Sequence, residues 1–430
     1  MKELSLHGKM TRSHLVIGTK QILCASLALS LILGSINLLM LGISQESKFS
    51  KNTKLKDYSF GLLTNKATHT SKRREHNFTV GVCLIAKDED AYLTEWIDYQ
   101  LLALEFDAIY IFDNAQTFQL QAWYNNTRDH PIYKRVLVIH KPGYGFIQKE
   151  AYRECMKRFG KLSPDSTQNS THYQVGGIIH KRHDYMAMLD VDEFIVLKQH
   201  ESIQKIPSNK PVTRIHDLIN DVWIEPVGGR GALVLNWILV GHSNKTVYQP
   251  IPALKRFQYR DPYPENVIKP IVHCPDFVDM LNPHGVLLKN LASAAGVTIW
   301  NMNSQVAHMS NTKASLKVAH LSEIPAEKAL IYHVRYTSMR EYTIKRCIRR
   351  QASGNLKGCD WSDKHNPKLY MTPQEDPAPI AVHNYPRVGT VFDDSPWRFF
   401  TAKVPKYRIF DSSDWEDFST ENPHSPAPVL

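Results

Sequence analysis

Several common catalytic and binding signatures are missing from this chain. It has no G-x-x-x-x-G-K-[ST] loop to cradle phosphates, no H-E-x-x-H helix to hold zinc and no G-x-S-x-G turn to present a serine nucleophile. Gly143-Tyr144-Gly145 lacks a third glycine at dinucleotide spacing, and no C-x-x-C pair exists for a structural zinc site. The six cysteines are too few and too scattered for a disulfide-framework miniprotein. A basic nucleic-acid-binding body is also absent. The net charge is +10, but residues 1–80 carry twelve Lys/Arg against four Asp/Glu, so the remaining 350 residues are close to neutral.

What is present is an ordinary globular composition with a large capacity for a core. Hydrophobic residues make up 43% and charged residues 22% of the 430, with 8 Trp, 19 Tyr and 16 Phe, too apolar a mixture for a disordered chain. The length allows two or three domains, or one large α/β unit with appended segments.

Residues 21–43 contain no charged side chain. As a helix rising about 1.5 Å per residue they would reach about 34 Å, enough to cross the hydrocarbon layer. The run is longer than a signal-peptide core and no A-x-A-like site follows it, so a signal anchor is expected. Lysines flank it on both sides, and the charge rule for orientation barely discriminates. Four Asn-x-Ser/Thr sequons, at Asn77, Asn125, Asn169 and Asn244, all follow the span. They favour a single-pass type II protein with a luminal body in the Golgi or endoplasmic reticulum. Five cysteines lie on that side, where disulfides are allowed, and their odd number leaves at least one unpaired in the monomer. The expected divisions are a cytosolic tail at 1–20, the anchor at 21–43, a Ser/Thr/Lys/Asn-rich stem at 44–76, a folded domain at 77–385, and a C-terminal extension at 386–430 with a mobile end.

Within the folded part, short apolar runs at 80–85, 108–112, 136–140 and 185–189 read as strands, and 91–103 and 149–159 as helices. This alternation predicts an α/β domain whose mostly parallel sheet is covered by helices. Ligands of such sheets bind beyond the carboxyl ends of the strands. The polar residues there are Lys87-Asp88-Glu89-Asp90, Asp113-Asn114 and Asp190-Val191-Asp192-Glu193. A lone Asp-x-Asp is usually a solvated turn. Here it sits between the apolar runs MAML and FIVL, where carboxylates are costly unless paired. If 190–192 is extended, Asp190 and Asp192 face one side, about 6.6 Å apart by rise, with Val191 turned into the core. Two hard oxygen ligands on one face suit Mg2+ or Mn2+ together with phosphate oxygens. His333 ends the apolar run 329–332, where a buried structural histidine is the commoner occupant. Lys269 follows Val267-Ile268, and Lys345 lies in a basic segment expected to be helical over 341–350; each is a candidate for phosphate charge.

Four segments together resemble glycosyltransferase family 92 and its family 2-like relatives: CLIAKDEDAYLTEWIDYQLLALEFDAIYIFDN, MLDVDEFIVL, VIKPIVHCPDFVDMLNPHG and YHVRYTSMREYTIKR. They span roughly residues 80–350 in the family's order. The resemblance implies a GT-A-like fold, a nucleoside diphosphate sugar donor (a UDP-sugar is expected) and a divalent Mn2+ or Mg2+ ion. It places Lys87, Glu89 and Asp113 beside the nucleotide, Asp190 on the donor sugar or ribose and at the metal, and Asp192 and His333 on the metal. Lys269 and Lys345 fall near the phosphates. The chain departs from the pattern at Asp88, where Asn is usual, at Gln100, where His is common, and at Val334, where Tyr is usual.

The implied reaction is transfer of the sugar, with inversion, to a glycan or glycoprotein acceptor. Inversion needs a base for the acceptor hydroxyl, and Asp261, Asp276 and Asp279 are the candidates, with no ground for choosing among them. Two other readings stand beside it. A carboxylate-pair glycan hydrolase would need no nucleotide, and a membrane-tethered carbohydrate-binding protein would need no catalysis at all.

Overall fold

The computed structural model describes residues 75–87, 89–115, 120–143, 147–162, 172–175, 178–198, 212–245, 247–289, 299–307, 309–311, 316–318, 328–338, 341–342, 345 and 389–412. The expected tail, the membrane span and nearly all of the stem lie outside these residues, as does most of the expected 341–350 helix. Among the described residues no helix is long and apolar enough to cross a membrane.

The first strand, β1 (Val80–Ala86), sends Val80, Val82, Leu84 and Ala86 into one apolar cluster and Cys83 into another on the opposite face. That is the two-residue period of a strand buried on both sides. Helix α1 (Asp90–Asp98) follows and continues into a π-helical turn at Tyr99–Ala103. Its Leu93, Trp96 and Ile97 form the buried stripe expected from their i, i+3, i+4 spacing. Strands β2 (Ala108–Asp113) and β3 (Val136–His140) then pair parallel outward from β1. Helix α2 (Gln148–Phe159) packs Ala151, Tyr152, Cys155, Met156 and Phe159 against the second face. It is tied to β1 by a disulfide between Cys83 and Cys155. Strand β4 (Tyr185–Leu189) pairs parallel to the other side of β1.

Five more strands complete the sheet: β5 (Glu193–Leu197), β6 (Ala232–Leu239), β7 (Ile268–His273), β8 (Ile299–Trp300) and β9 (Ala329–His333). The order is β3-β2-β1-β4-β7-β6-β9-β5, with β8 beside β6. Strand β7 is antiparallel to both of its neighbours and β5 is antiparallel to β9; the other pairs in the sheet are parallel. The sheet is therefore mostly parallel and mixed in its second half.

Chain connectivity forces this sheet to curl. Leu189 and Glu193 are joined by only three residues, so β4 and β5 lie within about 14 Å of each other. Three strands separate them in the sheet, which if flat would place them about 19 Å apart at about 4.8 Å per strand. Curling brings the far edge back beneath Asp190–Asp192.

The strand directions collect chemistry at one edge. Strands β1, β2, β3, β4, β6 and β9 all end there, and β5 and β7 begin there. The C-terminal region belongs to the same core. Helix α3 (Ser395–Lys403) and the 3-10 turns at Pro405–Asp411 bury Trp397, Phe400, Tyr407 and Phe410. Phe400 packs on Tyr99, and the Tyr407 hydroxyl donates to Asp98 at 2.8 Å. The described part of the expected extension, 389–412, thus packs into the same core and Phe410 is buried, while residue 385 and the expected mobile end beyond 412 lie outside the described residues.

Candidate functional site

Residues 190–193 form a tight turn between β4 and β5, not the extended segment anticipated from their alternation. The Glu193 N–H donates to the Asp190 carbonyl at 3.0 Å, and the Asp190 N–H donates back to Glu193 Oε2 at 2.9 Å. Val191 is buried as expected. The two aspartates turn to different partners, so the 6.6 Å rise does not describe their separation.

Asp190 faces α2 and β7. Its Oδ1 accepts from Gln148 Nε2 at 2.6 Å and from the Tyr152 hydroxyl at 2.7 Å, and its Oδ2 is 3.0 Å from Lys269 Nζ. Lys269 has no exposed surface. It also lies 3.3 Å from Glu193 Oε2, close enough to pair by charge but off the line of a directed hydrogen bond. Burial raises the Asp190 carboxyl, but Lys269 and the Tyr152 hydrogen bond outweigh it and hold the group below its ordinary value. Glu193 is the reverse: burial and the neighbouring aspartates outweigh Lys269 and push it well up. Lys269 is lowered by burial yet raised overall by the two carboxyls. The cluster thus sets one buried ammonium between two carboxyl groups whose proton affinities are shifted in opposite directions.

Asp192 faces β9. Its Oδ2 accepts from His333 Nε2 at 2.9 Å and bonds Lys345 Nζ, and its carbonyl accepts from the Val334 N–H at 2.8 Å. Burial would raise this carboxyl, but Lys345 and His333 hold it well below the usual range. Burial outweighs Asp192 at the imidazole and lowers His333, which favours its neutral form. The Trp237 ring lies 4.2 Å from His333 and 5.1 Å from His284. Lys345 reaches the site from a segment anchored by a buried ion pair between Glu341 and Arg256, at 2.9 and 3.1 Å, with Tyr92 and Ser338 also bonding Glu341.

The other expected residues divide by place. Lys87 and Glu89 follow β1 at the same edge. Asp113 ends β2, but its oxygens accept from the N–H groups of Ala115 and Leu120 at 3.0 and 3.1 Å and so shape their own loop. Asp261 stands at this edge beside the end of β6, its N–H donating to the Leu239 carbonyl at 2.9 Å. Asp276 does not belong to the site. It follows the end of β7, which runs against β4, and therefore lies at the opposite edge. There it accepts from Arg230 and Gly231 and pairs with His273 at 2.6 Å, which holds it far below the carboxylate range despite its burial. Asp279 sits in the 277–288 hairpin, where Arg153 of α2 takes both of its oxygens. Neither of these two carboxylates is placed to act as a base.

Sequence reasoning gave no role to Gln148, Tyr152, Glu193, Trp237, His284 or Arg256. Glu193 and Lys269 carried a readable signal, each being an ionisable residue inside an apolar strand. Gln148 and Tyr152 carried none, because their role depends on where α2 lands.

Among the described residues no group of three or more His, Cys, Asp or Glu side chains is arranged to hold a metal ion. Of the expected set, Asp192 and His333 come together and Asp190 turns away to Lys269. The pair itself fits a divalent ion. The shifts favour the carboxylate form of Asp192 and the neutral form of His333, which are the ligating forms of each group, and Mn2+ or Mg2+ takes its remaining ligands from phosphate and water. Lys345 supplies positive charge at the same oxygen. The chain matches no protein-family model and no curated protein.

Proposed function

We propose that this protein is a metal-dependent glycosyltransferase with a GT-A-like fold, resembling family 92. In this reading it moves a sugar from a nucleoside diphosphate sugar, with UDP as the expected nucleotide, to a glycan or glycoprotein acceptor with inversion. The supporting observation is the Asp192–His333 pair with Lys345 on the same carboxylate, two residues along the turn from the Asp190–Lys269 pair, where six strands end.

Departure of a diphosphate from the anomeric carbon builds negative charge on the leaving oxygens. Asp192 and His333 would hold Mn2+ or Mg2+, which would offset that charge as a Lewis acid. Lys345 adds a cation from its anchored segment. Lys269 acts one layer further in, holding Asp190 ionised and oriented toward the donor sugar or ribose. Lys87, Glu89 and Asp113 border the nucleotide from the ends of β1 and β2. A carboxylate-pair hydrolase would need one of its two acids protonated, whereas Asp190 and Asp192 are both held below their ordinary values.

The secretory-lumen assignment has independent support. A disulfide joins Cys83 and Cys155, and the sequon residues Asn77, Asn125 and Asn244 are exposed; Asn169 lies outside the described residues. The proposed anchor is 21–43. The test is a panel of UDP-sugars incubated with the full chain and Mn2+, reading free UDP. One donor should release UDP, chelator should stop the release, and added Mn2+ should restore it. Release that ignores chelator, or none across a panel of nucleoside diphosphate sugars, would remove the reading.

A further inference from the structure

We propose that His284 is the general base of the reaction, taking the proton of the attacking hydroxyl on its Nε2. The proposal rests on the glycosyltransferase reading above and names the group that reading lacks.

The ring's tautomer follows from its one recorded bond. Nδ1 lies 3.0 Å from the carbonyl oxygen of Ile268. A carbonyl only accepts, so Nδ1 carries the hydrogen and the Nε2 of the neutral ring carries the lone pair. Ile268 directly precedes Lys269, which hangs the imidazole over the start of β7, at the edge where the donor site lies. The half-buried ring belongs to the tip of the 277–288 hairpin, and the titratable groups that face it are Lys269 of β7, Asp190 of the turn and His333 of β9. Burial first, then Lys269, pushes it down to about 4, so it is unprotonated at neutral pH.

Trp237 adds a second observation. Its indole packs against both His284 and His333. Its Nε1–H is buried and has no acceptor among the described residues. Buried donors are rarely left without an acceptor, and a sugar hydroxyl bound beside His284 would provide one. Three of the carboxylates that compete for the role are committed elsewhere: Asp276 at the far edge, Asp279 to Arg153, and Asp190 to Lys269, Tyr152 and Gln148; Asp261 stands at the same edge and is the rival that the test below includes.

The step balances. The acceptor oxygen's lone pair forms the new bond to the anomeric carbon. The bond from that carbon to the β-phosphate oxygen breaks, and its electron pair leaves with the diphosphate. The hydroxyl proton passes to His284 Nε2, and the resulting imidazolium releases it to solvent.

The test uses the full chain, its best UDP-sugar, and water as the acceptor, with UDP release as the rate and UDP binding in Mn2+ as the control. His284→Asn keeps an amide N–H for the Ile268 carbonyl and removes the base. UDP release should fall by about 10²-fold or more, with the UDP Kd changed by less than about threefold. Release unchanged within about threefold overturns the proposal. So does a Kd weakened by the same factor as the rate, which is what a purely structural histidine would give. Asp261→Asn is run in parallel, and a collapse confined to that variant assigns the base to Asp261. If the unaltered chain neither binds UDP nor turns over any UDP-sugar, the transferase reading fails and takes this proposal with it; an active chain with an equally active His284→Asn removes His284 alone.

Discussion

Asp192 bonds an ammonium and an imidazole through one oxygen, and this is the contact from which the site is built. Replacing it with Asn preserves the shape but removes the charge that Lys345 and His333 face and that a divalent ion needs. UDP release should fall by at least about a hundredfold, while the loss of charge-assisted hydrogen bonds costs about 1–3 kcal/mol of stability. Steady-state rates paired with urea unfolding check both halves, and an active Asp192→Asn would contradict the assignment. At this scale Asp190 and Asp192 were singled out by an acidic pair between apolar runs, Lys269 and Lys345 by their place beside or after apolar and basic runs, and His333 as a ligand only through the resemblance. Asp276 and Asp279 misled, because an aspartate's usefulness depends on which edge of the sheet it reaches and on whether an arginine reaches it first.

Among the elements, α1 does more than cover the sheet. From its second turn, Glu95 accepts from the N–H groups of Ala253 and Leu254 at 2.6 and 2.9 Å, capping the short helix Ala253–Arg256 whose last residue anchors Glu341. Burial outweighs these bonds and raises Glu95 to about 7. A carboxyl raised in the folded state binds its proton there while the unfolded chain has already lost it, so its contribution to stability declines as pH rises from about 4.5 to 7. His183 and His284, lowered to about 4, act in the opposite direction over an overlapping range, so the comparison must be with Glu95→Gln. Any advantage of the unaltered chain over this variant, read from urea midpoints, should shrink between pH 5 and pH 8; a constant difference would show that Glu95 is already ionised at pH 5. The local periods gave the strands at 80–86, 108–113, 136–140 and 185–189 and the helical segments at 90–103 and 148–159 to within a residue or two, and missed the helix Gln121–Thr127 and the strands His172–Val175 and Ile178–Lys181. They failed at 190–193, where alternation imitated a strand and the chain makes a turn.

For the whole molecule, the Cys83–Cys155 disulfide fastens α2 to β1 and so holds Gln148 and Tyr152 over Asp190. The bridged cysteines are 72 residues apart, a loop for which chain entropy alone gives about 4 kcal/mol. Replacing both by Ala should lower stability by about 2–4 kcal/mol in denaturant titration. It should also weaken UDP binding, and an unchanged titration would show that packing alone holds α2 in place. Five candidate cysteines left the pairing open in the sequence, and Cys274, near in space to Gly160 at the end of α2, stays a buried thiol. The region 389–412 was misread for a related reason. Its apolar residues are as frequent as in the chain as a whole, and what they bury against is decided only in space, where Phe400 meets Tyr99 of the π-helical turn and Trp397 and Tyr407 pack on Phe400.

The sequence by itself determined where the strands end and which polar residues stand there, because strand period and the residues that break it are properties of neighbours along the chain. Tertiary structure alone decided which partner each carboxylate meets. Strand order, the reversal of β7 and the curl that returns β5 beneath β4 arise from pairings between distant segments, and these separate Asp190 from Asp192 and carry Asp276 to the opposite edge.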